Sequence, residues 1–164
     1  MRLVLALTIF SCCVGCDQAT KHIATKTLSG MPPQSYFLNT FRLEYALNPG
    51  GFLSIGANLS PQLRFWGITM LNVTLLVGSV YILATKWNMH LVKFIAVVLF
   101  LAGGFGNLID RTFHDGVVTD FLNLGIGSLR TGIFNVADVA ITVGVIAFLV
   151  MSRGSKAAQL EHTR

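Results

Sequence analysis

The sequence predicts an α-helical polytopic membrane protein, four transmembrane helices with a small extracytoplasmic β cradle, and three observations point there. Of 164 residues, 53% are hydrophobic and only 12% charged, about half the charged share of a soluble domain; mean hydropathy is +0.66. Four apolar stretches, at about 3–24, 63–85, 91–109 and 135–151, are near or beyond the roughly 17 to 20 residues that cross a hydrocarbon core. Between the first two, apolar and polar residues alternate with period two. The spans use up most of the chain, so residues 1–164 are expected to form a single membrane-embedded domain with a polar, frayed tail at 152–164.

The first stretch imitates a secretory signal. Arg2, the apolar run Leu3 to Phe10 and the small residues ending at Gly15-Cys16 have the right order, and Val14-Gly15-Cys16 imitates a lipoprotein cleavage box. Leu would be usual three places before such a cysteine, however, where Cys13 stands, and Asp17 to Lys21 continue helical sequence without a linker. A retained first helix is therefore expected. Cys12, Cys13 and Cys16 lie within five residues of one another, which suits side-chain packing and neither a disulfide framework nor a zinc site.

In the long connection that follows, Phe41, Leu43, Tyr45 and Leu47 alternate with Arg42, Glu44 and Ala46, the pattern of a half-buried strand. Pro32-Pro33 and Asn48-Pro49-Gly50-Gly51 punctuate its ends. Such a strand either cradles an extended peptide by edge pairing or merely caps the bundle. The second and third spans are joined only by Thr85 to His90, so they must be antiparallel neighbours. Both long connections then share one side.

Late in the third span, Gly103-Gly104-Phe105-Gly106-Asn107 has neither a P-loop lysine nor a third Rossmann glycine after it, and its small residues suit close helix contact in lipid. The connection from about residue 110 to 133 holds Asp110, Asp115 and Asp120, three of the chain's seven acids. Asp120 lies in an apolar stretch, Val117 to Leu122, read as a loop docked at the membrane surface. Asp138 opens the fourth span, where a helix N-terminus favours an anion. Acids within spans, Asp17 and Asp138, cost about 2.5 to 3.5 kcal/mol at a helix centre, so both call for an explanation.

The net charge of +5 comes from basic residues scattered singly, with no run or stripe for nucleic acid. Twelve Lys and Arg divide equally between the two sides if the long loops are counted. Arg2, Lys86, Lys93, Arg153, Lys156 and Arg164 concentrate in short tails and a turn, which places both termini in the cytoplasm. Two carboxylates brought together in a dry site share one proton and can activate water for amide hydrolysis. Asp120 and Asp138 are the candidates for that pair. His114, the only histidine near these acids, has at most a metal-ligating alternative with Asp110, Asp115 and Asp120.

These segments resemble the bacterial lipoprotein signal peptidases, or type II signal peptidases, in order along almost the whole chain. Asp17-Gln18-Ala19-Thr20-Lys21 is similar to the family's DQxxK, Asn48-Pro49-Gly50 with Ser54 to NxGxxFS, Gly103 to Arg111 to GGxxGNxxDR, Val117 to Phe121 to VxDF, and Phe134 to Asp138 to FNxAD. The resemblance implies an aspartyl endopeptidase of the bacterial inner membrane, its site at the outer face, that removes signal peptides from diacylglyceryl-modified prolipoproteins just before the lipidated cysteine. It implies Asp120 and Asp138 as the catalytic dyad, without metal or organic cofactor. Asp17, Asn48, Gly104, Asn107, Arg111 and Asn135 match site-organising or substrate-binding positions. Beyond substrate and membrane lipids no partner is implied, and a monomer is expected. The sequence departs from the pattern at Pro49 to Leu53, where the aromatic Phe52 comes one place early. A presenilin-like protease would need an acid where Asn107 stands and more helices. A channel or transporter would disperse its acids along a water path.

Overall fold

The computed structural model describes residues 1–50 and 60–161. Along them run α1 (Arg2–Leu28), β1 (Gln34–Tyr36), β2 (Phe41–Asn48), α2 (Pro61–Thr85), α3 (Leu91–Phe113), β3 (Val118–Ile126), β4 (Leu129–Arg130) and α4 (Val136–Glu161). All four helices are long and apolar enough to cross a membrane. The first stretch forms one continuous helix, α1, four residues longer at its C-terminal end than the apolar stretch.

Helix α3 is the centre of the bundle, packing on α1, α2 and α4, and it contributes the buried Phe94, Ala96, Val97, Val98 and Ala102. Lipid tails are as apolar as leucine, so close van der Waals contact and polar pairing, rather than hydrophobic expulsion, hold such helices together. Glycines supply the closeness. A Cβ on Gly103 would stand 2.4 Å from the Ala137 carbonyl oxygen of α4, and one on Gly106 would stand 2.7 Å from Asp17 Oδ2 of α1. The cysteines do not pack as expected. Cys12 and Cys16 lie on the exposed side of α1, and Cys13 is only half-buried.

Helices α2 and α3 are antiparallel about the Lys86–His90 turn, where His90 caps α3 by accepting from the Val92 amide at 3.3 Å. Arg2 donates to the carbonyls of Trp87 and Met89, so the chain's start and this turn share one end of the bundle.

The sheet is antiparallel in the order β1-β2-β3-β4. The alternating segment forms β2, as its period requires, with Ala46 opposite Asp120 and Phe41 opposite Leu124 across to β3. On its other side β1 covers only Phe41–Leu43. The second connection departs from expectation. Asp110 and Arg111 belong to the last turn of α3, and the stretch read as a docked loop is strand β3, central in the sheet. Its β-branched residues Val118 and Thr119 fit a pleated, buried surface. Phe121 and Leu122 pack with Leu28, Ala24, Leu43, Tyr45 and Val136, which seats the sheet on the ends of α1 and α4. Helix α4 also outruns its expected end at 151, continuing through the polar tail to Glu161.

Candidate active site

Asp138 is held by its own helix start. Asn135 caps α4 through Oδ1, accepting from the Asp138 amide at 3.0 Å, while Asp138 Oδ2 accepts from the Asn135 amide at 3.2 Å. This reciprocal pairing is a capping box built from Asn and Asp. It was legible in Phe134 to Asp138, because a good cap three residues before an acid is its signature.

With its oxygen committed to the cap, the Asn135 amide can offer only Nδ2 to its other neighbours. That nitrogen donates to Asp120 Oδ1 at 2.6 Å and to Asn107 Oδ1 at 3.2 Å. Asn107 is oriented by the same logic. Lys21 has only donors, and its Nζ lies 2.9 Å from Asn107 Oδ1, so Asn107 turns Nδ2 to Asp138 Oδ1 at 3.0 Å. Asn48, the last residue of β2, donates through Nδ2 to Asp120 Oδ2 at 2.9 Å. One residue, Asn135, therefore donates to both carboxylates.

Asp120 and Asp138 are both buried, and the groups that hydrogen-bond them are neutral amides. Burial, followed by the charge of Asp138, pushes the Asp120 carboxyl up to about 6, against the opposing hydrogen bonds of Asn48 and Asn135. Both acids line a cavity of about 280 Å³ between α2, α3, α4 and the sheet, together with Asn48, Gly104, Asn107 and Arg111. Gly104 forms wall, its carbonyl accepting from Asn72 at 3.3 Å. Arg111 donates to the carbonyls of Gly50 at 2.8 Å and Asn107 at 3.4 Å, and among the described residues its buried Nε has no partner.

Asp17 has a different environment. Its carboxylate meets Lys21 Nζ at 2.8 Å and accepts from the Ala137 amide at 2.9 Å. Lys21 also lies 3.1 Å from Asp110, whose other oxygen accepts from Gln18 and whose Oδ2 accepts from the Thr119 amide, both at 3.0 Å. Ala137 and Thr119 are the residues immediately before Asp138 and Asp120. The buried cluster of Lys21, Asp17 and Asp110 thus grips the backbone beside each acid without touching either.

The model of the family described as signal peptidase (SPase) II matches residues 9–153. The chain belongs to the signal peptidase II family. The lipoprotein signal peptidase of Desulforapulum autotrophicum is 33% identical over 149 residues, 91% of this chain and 90% of that one. That of Borrelia duttonii is 34% identical over 154 residues, 91% and 89% of the two. A solved bacterial membrane enzyme, determined by the in meso method at 2.3 Å, superposes with a TM-score of 0.80 at 27% identity, covering 94% of this chain and 90% of its own. A second, at 1.9 Å, gives 0.75 at 27% identity over 90% and 91%. Signal peptidase II membership makes the chain a membrane protease of lipoprotein processing.

Of the residues singled out in the sequence, Asp120, Asp138, Asn48, Asn107 and Asn135 converge, Gly104 and Arg111 line the same cavity, and Asp17 stands apart. Sequence reasoning missed Lys21, Gln18 and Asp110 as parts of the site's frame. The signal was present: an acid and a lysine four apart inside an apolar span are affordable only when paired with each other or a neighbour. Phe52 and Ser54 of the NxGxxFS-like segment lie outside the described residues.

Proposed function

We propose that this signal peptidase II is an aspartyl endopeptidase that cleaves diacylglyceryl-modified prolipoproteins immediately before the lipidated cysteine, with Asp120 and Asp138 as its dyad. The observation that carries the reading is Asn135 donating to both carboxylates, by its side chain to Asp120 and its backbone to Asp138. The ionised acid takes a proton from a water whose oxygen attacks the scissile carbonyl carbon, and the protonated acid donates to the carbonyl oxygen. Collapse of the tetrahedral adduct breaks the C–N bond, the cysteine nitrogen leaves with a proton, and the dyad regains one shared proton. Asn48, Asn107 and Asn135 fix the carboxylates, and Arg111 faces the substrate from the cavity wall. On the edge of β2 that faces away from β3, β1 pairs with Phe41–Leu43, which suits an extended peptide pairing further along that edge.

Both termini lie in the cytoplasm and the site faces outward across the bacterial inner membrane, the reading that suits Arg2 and the Lys86–His90 turn at the end opposite the sheet. The enzyme works as a monomer, with membrane lipid as its surroundings. The test is turnover of a dipalmitoylglyceryl-cysteine lipopeptide by purified Asp120→Asn and Asp138→Asn. Each should lose about 10³-fold or more of kcat while the protein remains folded and inserted; turnover retained in either variant sinks the dyad. The same peptide without lipid should be a poor substrate for the wild type.

A further inference from the structure

Asp138 borders two cavities. One is the 280 Å³ cavity already described. Phe100 lines both it and a separate apolar cavity of about 170 Å³ beside Ala96, Gly144 and Phe148, and the two lie between α2, α3 and α4. The other, of about 490 Å³, lies across α4, between the β3–β4 hairpin and the face of α4 that carries Val139, Thr142 and Val143. Its sheet side holds Leu124, Arg130 and Thr131.

The second groove opens onto the exposed apolar face of α4. Val139 and Val143 are half-exposed, and Ile146 and Val150 continue the same exposed face down the helix. Above it the two hairpin tips are tied together, Gly125 donating to the Thr40 carbonyl at 2.9 Å and Arg130 to that of Asn39 at 2.7 Å. Phe37, Leu38, Ile126 and Leu129 at this end are 80% or more exposed. Phe37, Leu38 and Asn39 hold the left-handed backbone at φ of 48°, 53° and 67°, an unfavourable run that presents two large apolar side chains outward. A bilayer leaflet is the solvent that suits such an apolar tip.

The proposed reaction, on which this inference rests, leaves two products that both belong in the membrane. The signal peptide is apolar, and the new N-terminal cysteine carries two acyl chains. A site at the bilayer face therefore needs two apolar routes diverging from the dyad. The cavity between α2, α3 and α4 carries Asn48, Asn72 and Arg111, groups that pair with peptide. The groove across α4 offers an apolar floor with Arg130 and Thr131 above it. We infer that the groove between the β3–β4 hairpin and Val139–Val143 of α4 seats the diacylglyceryl chains of the substrate cysteine, with the signal peptide on the other side of Asp138.

The test is a KM and kcat comparison in lipid nanodiscs between a dipalmitoylglyceryl-cysteine peptide and its diacetylglyceryl counterpart. Filling the groove by Val143→Trp or Leu124→Trp should raise KM for the dipalmitoyl substrate at least tenfold, leave kcat within about twofold and leave the diacetyl substrate little changed. Ile146→Trp, one turn below on the same lipid-facing side, should change neither. In wild-type enzyme, a photoactivatable group on the acyl chain should label Leu124, Val139 or Val143. Labelling at Leu71 or Leu75 of α2 overturns the assignment, as does an unchanged chain-length preference in both filled variants. A wild type indifferent to lipid would overturn the proposed activity and the groove together, whereas lipid dependence intact in both filled variants overturns the groove alone.

Discussion

Two pairs of buried acids stand a few residues apart in this bundle, and they are held in opposite ways. Asp17 and Asp110 share the ammonium of Lys21, and their remaining oxygen capacity is spent on Gln18 and on the amides of Ala137 and Thr119. Asp120 and Asp138 receive only neutral donors, from Asn48, Asn107 and Asn135. Among the described residues no cation forms a salt bridge with either. A carboxylate locked to an ammonium is a poor base, whereas two carboxylates held by amides in a buried site keep a proton to exchange. One pair is suited to structure and the other to chemistry, and the first positions the second through the backbone of residues 119 and 137.

That contrast predicts opposite phenotypes. Lys21→Met leaves two buried carboxylates without their cation and should destabilise the fold by about 3–5 kcal/mol, read as a large drop in the denaturation midpoint in detergent. Asp120→Asn and Asp138→Asn should leave that midpoint within a few degrees while abolishing turnover. A Lys21→Met enzyme as stable as wild type would dissolve the distinction. Gly103→Ala tests the packing that brings α4 to α3, since its Cβ would meet backbone at 2.4 Å. It should cost about 1–3 kcal/mol, typical of an overpacked contact, and lower kcat by displacing Ala137 and, with it, Asp138.

Much of the helical fold was legible because spans are written in length and hydropathy, and β2 because alternation over Phe41–Leu47 has only one meaning. Strand β3 was not. Its run Val118-Thr119-Asp120-Phe121 is buried on both faces, so it lacks alternation and reads as apolar text of either kind. The ends of α3 and α4 were also missed, since Asp110-Arg111 and the tail beyond Met151 are polar, and hydropathy stops where a helix need not. The site's side chains were legible as motifs, but the grip of Asp17 and Asp110 on the Ala137 and Thr119 amides was not. Those partners are backbone atoms, which no residue type announces.

A smaller effect sharpens the contrast from the chemical side. Asp120 is pushed up to about 6, so its charged form is lost as pH falls through that value, and with it the capacity of the proposed dyad to accept the proton of water. The profile of kcat/KM should therefore have an acid limb near pH 6. A profile flat from pH 5 to 8 would argue against Asp120 as half of a water-activating pair.

The finest prediction concerns Asn48. Its hydrogen bond favours the charged form of Asp120, and a bond to a charged group contributes about 1.5–3 kcal/mol, of which water entering the cavity would replace a part. Asn48→Ala should move the acid limb upward, toward neutral pH, by on the order of one pH unit, each unit corresponding to 1.36 kcal/mol between protonation states. The sign is fixed: removing a donor from a carboxylate makes it hold its proton longer, so the variant should lose more activity than wild type at pH 6 and recover most of it at pH 8. Asp17→Asn should move the limb less than Asn48→Ala does, because Asp17 hydrogen-bonds neither acid of the proposed dyad and reaches Asp138 only through its charge. If Asn48→Ala instead lowered activity equally at every pH, Asn48 would act by placing substrate or strand, and the tuning of Asp120 would rest on Asn135 and burial alone.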